Sequence, residues 1–520
     1  MITLLYNAKV WLGKSKFALS VGFDSITGKI LYSGKDDTKF KINYDEAIDL
    51  KGKLVLPAFS DGHCHLIAGA IANSQINFRN VSTKNEMQEE IGSYRIKMKS
   101  GEVIFGGYFS EANFKENIRM ERYFLDSLCW DLPMVIFRND LHSCILNSKA
   151  IEGLGIENSL KKFHPNEAPR DYIGNLTGEF KENAFTFVRN TIPQKTVKEK
   201  SDILKYEIEK LHKFGVTSIS DITFIEDLEV YEYLLKKNEL NLKIDSRIPV
   251  EDFDKIENIK SRFIDYADYI KFISLKAFYD GSLSSHTAYF QKNYKGTKFN
   301  GFRTDAVNDG SFRDNVFKID KAGYQLSVHA IGDKAVSELL DILSDIESKN
   351  GKRDRRFRIE HAQHINASDI LRFKKLNAIV SVQPSHLNFD AKIASDIIED
   401  LESTHRFKPL IDAGTKVCFG TDFPVVTENP FDTIYYAMTR KVEGFPSGFY
   451  TENNLDLETC LSALTSANAY ASFDEQKRGS IEIGKDADII VLENDLFSMK
   501  PEEIKNGKVE MTFLNGKRVF

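Results

Sequence analysis

Short apolar runs recur along this chain, separated by segments whose apolar positions repeat with a helical period. The runs are Leu54 to Phe59, Val216 to Ile222, Leu242 to Val250, Tyr269 to Lys276, Tyr324 to Ala330, Phe357 to His361, Ala378 to Gln383 and Lys416 to Thr421. Each has the length of a strand buried on both faces. Between them Val336, Leu339, Leu340 and Leu343 fall at i, i+3, i+4 and i+7, the stripe of a helix that covers a sheet. Eight such strands with helical crossovers predict a closed parallel (β/α)₈ barrel.

Two regions depart from this rhythm. Residues 1–55 read as short strands (Ala8 to Leu12, Phe17 to Phe23, Lys29 to Tyr32) broken at Thr27-Gly28 and Ser33-Gly34. Fifty residues of this kind bury little surface alone. They are expected to pair with residues 476–520, around Ile489 to Leu492 and Val509 to Phe520, in one small β-sandwich domain. The barrel then occupies 56–475. About 150 residues separate its first two strands, far more than a crossover needs. An inserted subdomain at about 70–200, over the barrel mouth, is the expected reason.

Composition narrows the class without naming a chemistry. Of the 520 residues, 42% are apolar and 28% charged, as in a soluble globular protein. A net charge of −6 gives no reason to expect a nucleic-acid partner. Cys64, Cys129, Cys144, Cys418 and Cys460 are odd in number and scattered, which fits a reducing compartment better than a disulfide framework. The N-terminus lacks a basic segment followed by a long apolar core, and no run of 18 apolar residues occurs. The expectation is a cytoplasmic protein without a membrane span. Its expected partner is a small-molecule substrate, and a homodimer is compatible with the sequence.

The candidate chemistry lies where the strands end. His63 and His65 follow the first apolar run, and side chains at i and i+2 of a strand share a face. Lys276, His329, His361 and Asp422 sit at the ends of the fourth, fifth, sixth and eighth runs. In a barrel of this kind those ends converge on one mouth. Four imidazoles and a carboxylate suit one or two divalent ions, with Zn²⁺ the best match. A lysine ammonium has no lone pair to offer. Lys276 would bridge two ions only as a carbamate formed with CO₂. Otherwise it is a lysine beside a single ion.

The segments Leu56 to His65, Asn175-Leu176-Thr177-Gly178-Glu179, Asp280-Gly281-Ser282-Leu283, His329-Ala330-Ile331-Gly332-Asp333, Ile359 to His364, Gly420 to Pro424 and Gly484 to Asp488 carry a resemblance. Together they resemble the amidohydrolase superfamily, and within it the family 3 branch that contains N-substituted formamide deformylase. The resemblance implies a (β/α)₈ barrel with a small β-sandwich, and a metal-dependent hydrolase. It implies His63, His65, His329, His361 and Asp422 as ligands, with Lys276 bridging. Ala58 and Cys64 are conservative departures from the branch. His286, where the branch has arginine, and the segment Gly106 to Phe114, where it is rich in tryptophan, fall on the expected substrate side.

In the reaction so implied, Asp422 takes the proton of a metal-bound water and returns it to the leaving group; the simpler alternative makes it a ligand only. Arg138 and His142 in the insertion, and Gln383 and His386 after the seventh strand, are candidates for touching substrate. Asp333 and His364 read as hydrogen-bond partners of the ligands. The leading reading is hydrolysis of a linear amide, an N-formyl or N-acyl amine. The same site would serve a cyclic amide, an ester or a deamination. A barrel that only binds would show broken ligand positions, and none is broken.

Overall fold

The structure, a computed structural model, describes the chain apart from residues 35–42, 80, 97, 99–101, 110–113, 117, 139–142 and 193. All eight apolar runs contribute to the central sheet. Its strands are β1 (Phe59–Cys64), β2 (Val216–Ile222), β3 (Lys243–Pro249), β4 (Ile270–Phe278), β5 (Gln325–Ala330), β6 (Arg358–His361), β7 (Ile379–Val382) and β8 (Lys416–Phe419). They lie in sequence order and every neighbouring pair is parallel. Parallel order with helices between strands leaves both faces covered, and strand residues are accordingly buried even where polar, as at Ser218, Ser220, Arg247 and Arg358.

Past the strand ends, the first and last strands meet. Asp422 N donates to His63 O at 2.6 Å and His65 N donates to Phe423 O at 2.8 Å. Asn468 Nδ2 donates to both Ser60 O and Phe419 O, at 2.6 and 2.9 Å. The seam also needs glycine. A Cβ on Gly62 would lie 2.7 Å from Phe419 O, and one on Gly420 would lie 2.7 Å from the His63 Cβ. No side chain fits at that spacing, so the two backbones approach only as glycine against chain.

The first apolar run is divided between two sheets, a detail its uniform hydrophobicity conceals. Leu54–Pro57 pairs with Lys9–Trp11 and, antiparallel, with Ile489–Leu492, whereas the barrel begins at Phe59. That six-stranded sheet also holds Phe17–Ala18, Val509–Leu514 and Lys517–Arg518. A four-stranded sheet comprises Lys29–Gly34, Ser20–Asp24, Ile2–Tyr6 and Glu46–Asp49. One apolar cluster draws on both sheets, with Leu5, Val21 and Phe23 against Val10, Val55, Ile489 and Phe513. Each such side chain contributes roughly 1.5–3 kcal/mol when fully buried. Deleting residues 480–520 should therefore strip Leu54–Pro57 of a neighbour and expose the apolar face, giving insoluble protein. A soluble, monomeric truncation by size-exclusion chromatography would contradict this.

Ala68–Ile203 forms a compact unit of its own. Its five-stranded sheet runs Glu179–Lys181, Ser143–Leu146, Met134–Arg138, Ile104–Phe109 and Ile76–Asn77. Apolar clusters around Val135, Phe180 and Phe185, and around Phe78, Met87 and Leu125, give it a core. Among the described residues, no helix of the chain is long and apolar enough to cross a membrane.

Candidate metal centre

His63 is the fifth residue of β1 and is 1% exposed. Its Nδ1 lies 2.6 Å from Glu360 Oε2. Glu360 belongs to β6, and its carboxylate is fully buried. Burial opposes its ionisation, yet the guanidinium groups of Arg358 and Arg247 and the His63 imidazole outweigh that cost and hold it well below the ordinary glutamate range. Oε1 accepts from Arg358 Nε at 2.8 Å, Ser327 Oγ at 2.7 Å and Arg247 Nη1 at 3.1 Å. A carboxylate so held accepts the Nδ1 proton of His63. The Nε2 lone pair is left pointing away, buried and without a hydrogen-bond partner.

That lone pair faces Asp422 Oδ1 at 3.4 Å, and His65 Nε2 lies 3.3 Å from the same oxygen. Two ligand atoms each ~2.0–2.1 Å from one tetrahedral ion stand about 3.4 Å apart. Ligand atoms of His63, His361 and Asp422 all lie within 4.8 Å of one another. His361 ends β6 with its ring 4.9 Å from that of His63. Its Nδ1 proton goes to Gln383 Oε1 at 2.9 Å, again freeing Nε2. Burial, with His329 close by, keeps His361 neutral. Asp422 is the carboxylate among these imidazoles, its Oδ1 shared by His63 and His65. Neutral imidazoles and an ionised carboxylate are the forms that bind a divalent cation, so the residues fit the ion that the donor set implies.

The backbone confirms that the placement is imposed. His361 has φ 71° and Asp422 has φ 59°, in the left-handed region that side chains with a Cβ enter at a cost. His361 ends β6 and Asp422 follows β8 by three residues, so both turns lie just past or at a strand end.

The other expected ligands are near but arranged differently. His329, near the end of β5, has its ring 4.5 Å from that of His361, but its Nε2 lies 3.1 Å from Gly281 O. Burial and the neighbouring Lys276 push it down to about 3. With Nε2 given to a carbonyl, His329 is outside the converging trio. Lys276 does not end β4, which continues to Phe278. Its side chain is buried, with Nζ 4.8 Å from the Phe278 ring centre. Burial pushes it down to about 8.

The groups expected beside the ligands prove to be others. Asp333 Oδ1 accepts from Gln291 N at 2.8 Å, so it anchors the loop after β4. His364 Nδ1 meets Thr404 Oγ1 at 3.3 Å, with its ring against Phe290. The imidazoles are instead held by Glu360 and Gln383. Gln383, expected at the substrate, is thereby tied to His361. Asp61 was not singled out; it accepts from the backbone N–H of both His63 and Thr421 at 3.0 Å and so ties β1 to the turn after β8. Asp280 does the same for the strand-five turn, accepting from Ile331 N and Gly332 N at 3.0 and 2.9 Å. Arg138 lies in the separate unit, 2.7 Å from Glu179 Oε1. His142 is outside the described residues.

Because a Cβ on Gly420 would press on the His63 backbone, Gly420→Ala should displace that imidazole. A shift of this order costs roughly 10²-fold in turnover, read as a fall in kcat with far-UV circular dichroism unchanged. Unaltered kcat would show that the seam does not set the His63 position.

An eight-stranded parallel barrel with a buried His–His–Asp trio at its strand ends defines a metal-dependent hydrolase class. The chain belongs to the amidohydrolase family, whose sequence pattern matches residues 46–520. It is 27% identical over 540 aligned positions to the protein LONG AFTER FAR-RED 3 of Arabidopsis thaliana, covering 99% of this chain and 91% of that protein. It is 22% identical to the N-substituted formamide deformylase of Arthrobacter pascens, over 91% of this chain and 89% of the other. Among solved structures it is similar to an uncharacterized metal-dependent hydrolase from Pyrococcus horikoshii, with a TM-score of 0.78, 25% identity, and coverage of 96% and 99% of the two chains.

Proposed function

We propose that the protein hydrolyses the C–N bond of a linear amide, an N-formyl or N-acyl amine, with a divalent metal, Zn²⁺ by preference. The observation that carries this reading is the free, buried Nε2 of His63 facing Asp422 and His361. The similarity to N-substituted formamide deformylase supports the substrate class. His63, His361 and Asp422 would hold the ion, with His65 beside Asp422. When bound there, a divalent cation supplies a water whose pKa falls toward ~7 and an acid that polarises a carbonyl.

The chain's own residues do the rest. Glu360 keeps the proton on His63 Nδ1, and Gln383 keeps the one on His361 Nδ1. Asp422 Oδ1 faces the imidazoles, which leaves Oδ2 to take a proton from water and return it to the leaving nitrogen. Amide breakdown needs that return, because an amide anion is too basic to leave unprotonated.

Lys276 is the candidate for a second ligand set, as a carbamate with His329 near it. A buried ammonium beside metal cations is strongly unfavourable, whereas a carbamate reverses the sign of the charge and offers two oxygens. Lys276→Ala should then lose one equivalent of metal and most activity, with partial recovery on adding short carboxylic acids. Density ending at an unmodified Nζ in a fully active enzyme with one ion would decide against the carbamate.

The test of the proposed function is a panel of N-formyl and N-acyl amines, cyclic amides and esters, assayed with Zn²⁺ and after chelation. Chelator-sensitive cleavage of the linear amides is expected. Selective cleavage of esters or cyclic amides would replace this reading.

A further inference from the structure

Of the two candidates that follow β7, Gln383 gives its Oε1 to His361 Nδ1 and keeps an unpaired Nε2, whereas His386 directs a ring nitrogen at Asp422. His386 closes a single helical turn, Pro384–His386, and its side chain is 4% exposed. Its Nε2 is buried without a hydrogen-bond partner and lies 3.9 Å from Asp422 Oδ2. Its ring lies parallel to that of His361, 6.3 Å away, and rests against Phe389 at 5.4 Å. The imidazole therefore sits at the trio and directs one nitrogen at it.

The other nitrogen shows which of the two bears the proton. Gln363 Nε2 lies 3.3 Å from His386 Nδ1; in this amide orientation it donates there, which places the His386 proton on Nε2. The Gln363 backbone carbonyl accepts from His405 N at 2.6 Å, and His405 Nε2 is held by Asp390 Oδ2 at 3.0 Å, which anchors the segment that carries the amide. An Nε2 that carries a proton cannot ligate a metal. A buried donor without an acceptor is costly, and such groups persist where a ligand completes them.

We propose that His386 Nε2–H is the hydrogen-bond donor to the carbonyl oxygen of the substrate, and strengthens that bond as the oxygen becomes an oxyanion. The proton stays on His386 throughout. Gln363, with the His405–Asp390 pair behind it, positions the ring. This rests on the reading of the site as one for carbonyl hydrolysis.

The test has two readings on the metal-loaded protein. Nitrogen NMR of ¹⁵N-histidine-labelled protein, with His386 assigned by its loss in His386→Gln, should show the Nε2–H tautomer. In kinetics on formanilide and acetanilide, His386→Phe should lower kcat by about 10²-fold or more while KM and bound metal stay near wild type. His386→Gln, which keeps an amide donor, should recover part of the loss. An Nδ1–H tautomer, an unchanged kcat in His386→Phe, or loss of metal in that variant would overturn the proposal. If wild type cleaves neither anilide, the amide reading fails on its own. His386 is then judged by titration with methylphosphonate, a tetrahedral oxyanion. Binding weakened by about tenfold or more in His386→Phe supports the donor role, and equal or absent binding in both proteins overturns it.

Discussion

His63→Ala should leave the purified protein nearly free of metal and reduce hydrolysis by a factor on the order of 10³ or more, since Lewis-acid and water activation together are worth several kcal/mol. The expectation follows from where the imidazole sits. It is the most buried of the candidate ligands at the end of β1, with its Nε2 free and Asp422 3.4 Å away. The change also takes the imidazole partner from the buried Glu360 carboxylate, so the truncated protein should keep its far-UV spectrum while its thermal transition falls. His65→Ala should cost less metal, because His65 is partly exposed and touches the centre through Asp422 alone. Equal metal content in wild type and His63→Ala, by elemental analysis, would remove His63 from the ligand set.

Replacing Glu360 should be the most damaging change to the fold. Its carboxylate neutralises Arg247 and Arg358, both with side chains 0% exposed, and Arg358 Nη2 also donates to Gly62 O on β1 at 2.7 Å. Glu360→Leu would leave two buried guanidinium groups with only the Asp245 carboxylate, 3.7 Å from Arg247 Nη2, to offset them. Breaking a buried pair in this way costs about 3–5 kcal/mol. Glu360→Gln keeps the shape and loses the charge. It should destabilise less, while releasing His63 from its tautomer and weakening metal binding by roughly 10–100-fold.

The pH dependence has a definite sign. The carboxyl is held below its unfolded value, so its stabilisation is complete above the ordinary glutamate pKa, about 4.3. It is lost as pH falls through the lower, folded value. The stability gap between wild type and Glu360→Gln should therefore narrow on acidification below that point. A gap in urea unfolding that is independent of pH would show that the Glu360 charge is not what stabilises the barrel core.

Much of this was legible in the chain. Eight apolar runs in strand lengths, with a helical stripe such as Val336 to Leu343 between them, require a covered parallel sheet. The strand-end positions of His63, His361 and Asp422 then follow from the geometry of such a barrel. Pairing partners were not legible. His63 and Glu360 are 297 residues apart, and Glu360 reads in sequence as one polar residue in a short run. Gln383 and His386 are three residues apart and look equivalent, but the intervening turn sends one to His361 and the other toward Asp422. His329 carries the right chemistry at the right strand, and its Nε2 lies 3.1 Å from the carbonyl of Gly281, a contact the sequence does not mark. Leu54 to Phe59 is uniformly apolar because two different sheets claim its halves, and hydrophobicity alone does not mark the division at Ala58.

One divalent ion is expected among His63, His361 and Asp422, where hydrolysis needs it. An anomalous-difference map, collected at the zinc absorption edge on crystals of active protein, tests it directly. A peak bonded to His63 Nε2, an imidazole nitrogen of His361 and an oxygen of Asp422 is expected. No peak at that position, in protein that still cleaves its substrate in the presence of chelator, would contradict it.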